Sequence, residues 1–361
     1  MDLLERLTQT AAIAGREHRM RTLIIAEIEG LFDQVRTDQL GSVIGLRKAR
    51  PRRTRTASQP ARSRREPLKV MLAAHMDQIG FFVRHIDDKG FLRVNAVGAF
   101  DTRNLFARLV TVCTESGDLP GVLNPGGRPI HIAREEDRKK VPDISDLVID
   151  VGMSAEQVNK KVRIGDMVVI RAPFTRVGGT IVAQALDNRV ACWIAIRALQ
   201  QLKHHDCEIH CVFTVQEEVG LRGAGTAAFG IKPDVGIAID TTLCVDVPGV
   251  PEDERVTQLG QGASLAVMDS GSIADLDLLN VFEEMARKKK IQSQRSILPR
   301  GGNDAATIQR AGTGARTFTL TCPTRYNHTI TEMIHLDDLH ACRDLLAAFL
   351  GAPASTFDKL T

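Results

Sequence analysis

The sequence predicts an α/β protein: a mixed sheet covered by helices on both faces, interrupted by a small β-rich unit. Three observations carry this. Apolar runs of strand length at 68–74, 208–215, 235–239 and 316–321 alternate with segments of helical periodicity, the pattern of strands buried on both faces. Between Gly80 and about Pro173 the texture changes to short alternating segments broken by Gly and Asp turns, as in a small inserted barrel. The long apolar runs also end abruptly in histidines and acids.

Taken in order, 2–9 and 17–32 read as helices, with Met20, Leu23, Ile24, Ile28 and Leu31 at three- and four-residue spacing and Gly15 between the two. A strand follows at 39–46 with a turn at Gly41. The run 68–74 leads straight into His75-Met76-Asp77. The inserted unit supplies short strands at 81–85, 91–94, 108–113 and 167–170, with a turn at 163–166. Asp187 is expected to cap a helix whose apolar face is Val190, Trp193, Ile194, Ile196, Leu199 and Leu202. The strand 208–215 is broken by the adjacent acids Glu217 and Glu218, with glycines at 220, 223 and 225 to carry a close-lying loop. Helices are predicted at 274–288, 303–310 and 336–350.

A chain of 361 residues, 43% hydrophobic and 25% charged, has the composition of an ordinary globular protein with one large domain or two. The net charge of +3 hides an uneven distribution. Residues 47–66 hold nine Lys and Arg against Glu66, more positive charge than the chain's total, so the remainder is mildly acidic. That segment lacks apolar periodicity and is expected to be a disordered loop. No aromatic side chain stands among its arginines, which removes the stacking platform of single-strand binders, and nucleic acid is not an expected partner. Seven cysteines without a CxxC pair exclude a disulfide framework or zinc ribbon; Cys207 and Cys211 read as core. The N-terminus has no apolar stretch of a secretory signal, and no run approaches a membrane span, so the chain reads as cytoplasmic.

Potential ligands cluster at the predicted strand ends: His75 and Asp77 after 68–74, Glu217 and Glu218 after 208–215, Asp240 after 235–239, and His328 shortly after 316–321. In open α/β sheets the binding crevice lies beyond the carboxyl ends of the strands. An acidic pair or a lone histidine is ordinarily structural or solvated; the joint pattern is what points to a site. Mixed imidazole and carboxylate donors suit zinc, cobalt or manganese better than calcium. A paired-metal site needs a bridging carboxylate, for which Asp187 is suited because it comes from a separate element. Asp77 shares a strand face with His75 and is placed to orient its ring.

The chain resembles the M42 family of dinuclear metallo-aminopeptidases, some of whose members carry an older endoglucanase label. The resemblance rests on AAHMDQIGF (73–81), ALDNRVACW (185–193), VQEEVGLRGA (215–224), IAID (237–240), GGNDA (301–305) and CPTRYNHTITEMI (322–334). It implies an α/β/α sandwich metallopeptidase domain, 1–79 with 175–361, and an inserted β-barrel-like dimerisation domain, 80–174. It further implies two divalent ions, zinc or cobalt with manganese as a third choice: one held by His75, Asp187 and Asp240, the other by Asp187, Glu218 and His328. Glu217 becomes the general base and Asp77 the orienter of His75. The implied substrates are short peptides, cut at their N-terminal residue, and the implied assembly is a homo-oligomer of dimers, up to a dodecamer. The chain departs from the family pattern at Gln78, where an acid is usual, at Asn303, where Thr is usual, and in the arginine-rich insertion. The alternatives are another hydrolase on the same core, a deacylase or a glucanase, and a non-enzymatic Arg-rich binding protein.

Overall fold

A computed structural model of the chain describes residues 1–51 and 66–360. The first part runs α1 (Asp2–Gln9), α2 (His18–Glu27), β1 (Gln34–Thr37), β2 (Val43–Arg47) and β3 (Lys69–His75). The inserted part follows as β4 (Gly80–Ile86), β5 (Leu92–Val97), β6 (Arg108–Thr114), β7 (Gly117–Pro125), α3 (Glu135–Lys139), β8 (Leu147–Asp150), α4 (Ala155–Lys161) and β9 (Met167–Ile170). The chain then returns through β10 (Thr175–Val177), β11 (Thr180–Ala183), α5 (Leu186–Gln201), β12 (Glu208–Thr214), α6 (Arg222–Ile231) and β13 (Val235–Leu243). It closes with β14 (Ala263–Met268), α7 (Leu276–Lys289), β15 (Ser293–Ile297), α8 (Ala305–Gln309), β16 (Arg316–Arg325), β17 (Glu332–His335) and α9 (Leu336–Leu350).

One large mixed sheet has the order β1-β2-β12-β3-β13-β16-β17-β11-β10, with β14 and β15 attached beside β16. Its centre is parallel: β12, β3, β13 and β16 pair in one direction. The long apolar runs form this centre because both faces of each strand are covered. On β3, Val70, Leu72 and Ala74 join the core with α1, α5 and α9, while Met71 and Ala73 pack with Ala224, Ala227, Ala228 and Ile308 of α6 and α8. The period of two divides one continuous apolar run between two helical layers. Four carboxyl ends therefore point the same way.

Strands β4-β5-β8-β7-β6-β9 close into a barrel with its own core, including Phe81, Val83, Leu92, Val94, Val110, Val112, Ile149 and Val168. Closure removes the open edges that six short strands would otherwise expose.

Several local expectations change. The strand expected at 39–46 forms at Val43–Arg47 and gains a partner, β1, that the periodicity did not signal. Arg47 is a buried end of β2 rather than part of a solvated loop, donating to the Leu199 and Leu202 carbonyls at 2.7 Å each. Arg50 pairs with Asp33 at 2.7 Å. The remainder of the basic segment, 52–65, lies outside the described residues. Gly223 and Gly225 fall in α6, not in a loop. A Cβ on Gly223 would stand 2.6 Å from the Val215 backbone, so glycine there lets α6 start hard against the end of β12. All seven cysteines are free and buried. Among the described residues, no helix is long and apolar enough to cross a membrane.

Candidate metal centre

Four parallel strands and one helix start deliver the side chains. His75 ends β3, Asp240 lies in β13, Glu217 and Glu218 follow β12, His328 follows β16, and Asp187 stands at the start of α5. Asp187 is not the helix cap the sequence suggests. Asp187 and Asn188 are non-helical, and Asn188 Oδ1 accepts from the Ala191 amide at 3.3 Å. Capping one residue later frees the Asp187 carboxylate for the crevice. Ala185, Gln216 and His328 have positive φ of 54°, 56° and 58°. These left-handed turns re-aim the chain at three ligand-bearing points, each at about 1–3 kcal/mol of strain.

The resulting geometry has two halves joined through Asp187. His75 Nε2 lies 3.3 Å from Asp187 Oδ1, 3.7 Å from Glu217 Oε2 and 3.8 Å from Asp240 Oδ1. His328 Nε2 lies 3.5 Å from Asp187 Oδ2 and 3.6 Å from Glu218 Oε2. Donor atoms of His75, Asp187 and Asp240 lie within 4.8 Å of one another, as do those of Asp187, Glu218 and His328. Donors about 2.1 Å from one tetrahedral ion stand about 3.4 Å apart, the spacing seen between each imidazole and its nearest carboxylate.

Both tautomers favour a cation as well. His328 Nδ1 is 3.0 Å from the Ala99 carbonyl, and His75 Nδ1 faces the Asp77 carbonyl at 3.3 Å and the Asp77 carboxylate at 3.6 Å. Each Nδ1 faces acceptors and so carries the ring proton, leaving the Nε2 lone pair directed at carboxylate oxygens. That arrangement is repulsive unless positive charge stands between them. The titration tendencies express the same demand. Burial opposes charge on His328, yet Asp187 and Glu218 push its imidazole up to about 10. Burial likewise opposes charge on His75, and Glu217 and Asp187 outweigh it and raise its pKa well above the usual value. Burial drives the Glu218 carboxyl up to about 7, with Asp187 adding to the shift, and lifts Glu217 and Asp240 well above the carboxylate range. The donor set thus fits a bound metal cation.

Three acids outside the ligand set hold the backbone in place, and two of them had no expected role. Asp77 does more than face His75: its Oδ1 accepts from the Glu217 amide at 3.1 Å and its Oδ2 from the Glu218 amide at 3.2 Å. Glu332 acts in the same way on a second pair of site residues, accepting from the His328 and Asp187 amides at 2.9 Å each. Glu17 Oε1 accepts from the Gly15 and Gln216 amides, bracing the acidic turn from the N-terminal side. The TEMI stretch and the short Gly15-Glu17 turn were visible in the sequence, but a backbone amide as partner leaves no side-chain pattern to read.

Beneath the site, fully buried Arg189 donates to the Met76 carbonyl, to Gln78 Oε1 at 3.0 Å and to the Thr10 and Ala12 carbonyls at 3.4 and 3.3 Å. Gln78 therefore serves as a neutral acceptor for a buried cation. Asn303 ties the Asp269 carboxylate to the Thr319 hydroxyl at 2.6 and 3.1 Å. Asp304 is buried, accepts from Thr214 Oγ1 at 2.6 Å and leaves its Oδ1 without a partner. A cavity of about 610 Å³ opens from the cluster along the ends of β13 and β14.

A helix-covered mixed sheet thus gathers two imidazoles and several carboxylates at its strand ends, with a closed six-stranded barrel inserted in the chain. The model of the M42 peptidase family, described as M42 glutamyl aminopeptidase, matches residues 58–345. A putative aminopeptidase of Acetivibrio thermocellus is 36% identical over 96% of each chain. Aminopeptidase APDkam598 from the archaeon Desulfurococcus kamchatkensis superposes with a TM-score of 0.91 at 36% identity, covering 100% of this chain and 97% of that one. The Pyrococcus horikoshii TET1 peptidase, which can assemble into a tetrahedron or a large octahedral shell, matches with a TM-score of 0.84 at 31% identity, over 97% and 98% of the two chains. The chain belongs to the M42 peptidase family.

Proposed function

We propose that this chain is a two-metal aminopeptidase that removes N-terminal residues from short peptides. One observation carries the reading: the two oxygens of Asp187 are divided between His75 and His328, at 3.3 and 3.5 Å. A single carboxylate presented to two imidazoles is what a bridged pair of cations requires. His75, Asp187 and Asp240 would hold one ion; Asp187, Glu218 and His328 would hold the other. Zinc or cobalt suits these donors, with manganese tolerated.

When bound, the ions polarise the scissile carbonyl and make water a better nucleophile near neutral pH. Glu217 is the general base: its carboxylate takes the proton of the attacking water and returns it to the nitrogen of the leaving amine. Its place supports the role, since Glu217 Oε2 lies 3.7 Å from His75 Nε2, beside both donor groups, although Glu217 also clusters with His75 and Glu218. Asp77 and Glu332 hold the turns bearing both glutamates, Asp187 and His328, so the constellation needs little rearrangement during turnover. The cavity receives the substrate. Exposed Leu109, Val122 and Ile164 on the barrel support self-association there, as does likeness to a relative that builds closed shells.

Chelator-treated protein, assayed on a panel of aminoacyl-p-nitroanilides with zinc, cobalt or manganese returned singly, tests the reading. Activity that appears only with metal is the expected result. Release of p-nitroaniline unaffected by chelation would sink it.

A further inference from the structure

Asn327 lines the cavity together with Asp187, Glu218 and His328, yet it belongs to none of the donor groups and is not one of the carboxylate braces. Its side-chain amide has one sensible orientation. Nδ2 donates to Asp187 Oδ2 at 2.9 Å, and the flipped amide would set two oxygens against each other. On the other branch, Oδ1 is buried and has no hydrogen-bond partner. The residue is partly exposed and on the cavity wall, so Nδ2 is the polar atom placed to face the cavity. An amide nitrogen carries two hydrogens. One goes to Asp187, and among the described residues no acceptor takes the other.

The turn that carries this amide is fixed from both sides. Tyr326 and His328 have positive φ of 60° and 58°. The Tyr326 carbonyl accepts from Thr329 Oγ1 at 2.6 Å, and the His328 amide is held by Glu332 at 2.9 Å. Neutrality also matters here. A lysine or arginine would pair with Asp187 and compete with cations for its oxygens; an amide N–H occupies one lone pair of Oδ2 and leaves the other free.

We propose that Asn327 is a further catalytic residue, whose second N–H donates to the scissile carbonyl oxygen as negative charge develops on it. The inference rests on the aminopeptidase reading of the site. In the addition step the water oxygen bonds to the carbonyl carbon, the water proton passes to Glu217, and the carbonyl π pair moves onto its oxygen. A donor already in place strengthens its bond as that oxygen becomes anionic, so it stabilises the transition state more than the bound substrate.

Two variants test this. Asn327→Leu removes both N–H groups at nearly the same volume; Asn327→Asp keeps the shape and puts an oxygen where the nitrogen stood. Elemental analysis follows the metal content of each. With metal saturating, kcat on leucyl-p-nitroanilide is expected to fall about 10- to 100-fold with KM little changed, the signature of a contact made in the transition state. Calorimetry supplies a second readout without turnover. The phosphonate analogue of leucine carries a tetrahedral anion and should bind the variants about tenfold more weakly, whereas leucinol, which lacks the anion, should bind them as it binds wild type. Unchanged kcat in both variants, or equal weakening of phosphonate and leucinol, would overturn the role. So would a loss of metal that accounts for the fall in kcat, since Asn327 would then only brace Asp187. A wild type that hydrolyses no peptide would sink the proposed function, and the phosphonate-to-leucinol ratio would still decide whether Asn327 donates to an anion in the cavity.

Discussion

Glu332 accepts the backbone amide of Asp187 at 2.9 Å across 145 positions of sequence, and its other oxygen accepts the amide of His328. One buried carboxylate thereby sets the relative position of Asp187 and the His328 imidazole, which follows a different element. Asp77 does the same for Glu217 and Glu218. Two buried carboxylates outside the candidate donor groups thus brace the backbone that carries them.

Glu332→Ala is accordingly expected to weaken metal affinity about 10- to 100-fold although no ligand is removed. Glu332→Gln, which keeps one carbonyl acceptor for the two amides, should fall between. Competition with a chromophoric chelator measures both, and wild-type affinity in the alanine variant would refute the bracing role.

Replacing the adjacent acids should separate their roles. Glu217→Gln is expected to retain both metals by elemental analysis while kcat drops by about 10²- to 10⁴-fold, the range for loss of a general base. Glu218→Gln should instead lower the metal content. Full metal occupancy in the second variant would mean the two roles are misassigned.

Arg189 is fully buried and satisfies four acceptors from two segments, 10–12 and 76–78. Arg189→Met leaves the Met76, Thr10 and Ala12 carbonyls and Gln78 short of a donor, and should destabilise by about 3–5 kcal/mol, read from the urea midpoint. Gln78→Glu would supply this cation with a charged partner in nearly the same volume and should raise the midpoint. A drop on that substitution would show that the neutral amide suits the pocket better.

Asp246 accepts two hydrogen bonds from Arg325, at 2.6 and 2.8 Å. The Arg325 bond, ahead of the opposing effect of burial, draws its carboxyl from 3.8 to about 2. A folded pKa below the unfolded one means that the pair's stabilisation is complete above about pH 4 and is lost as pH falls through about 2. Its size is about 2 kcal/mol. Urea midpoints for wild type and Asp246→Asn should converge between pH 4 and pH 2; a constant gap across that range would contradict the linkage.

The central strands were legible because parallel strands buried on both faces must be continuously apolar, as 68–74 and 235–239 are. The barrel was legible as a change of texture. β1 was not: all four of its residues are exposed, so nothing in Gln34–Thr37 distinguishes an edge strand from a loop. Nor was α6, whose glycine-rich start reads as a loop until Val215 is seen packed against Gly223.

By itself the sequence determined which chemistries stand at the strand ends: two imidazoles and a set of acids, each following an apolar run that had to be interior. Only the tertiary structure decided how they face one another. The division of Asp187 between two histidines, the one-residue shift of the helix cap to Asn188 and the Ala99 carbonyl that holds His328 all join positions far apart in the chain. So do the carboxylate braces of Asp77 and Glu332. The physical reason is that these contacts run through backbone amides and carbonyls, which every residue carries, and through lone-pair directions set by a ring's other nitrogen. Such partners have no residue type of their own and become visible only when the strands are laid side by side.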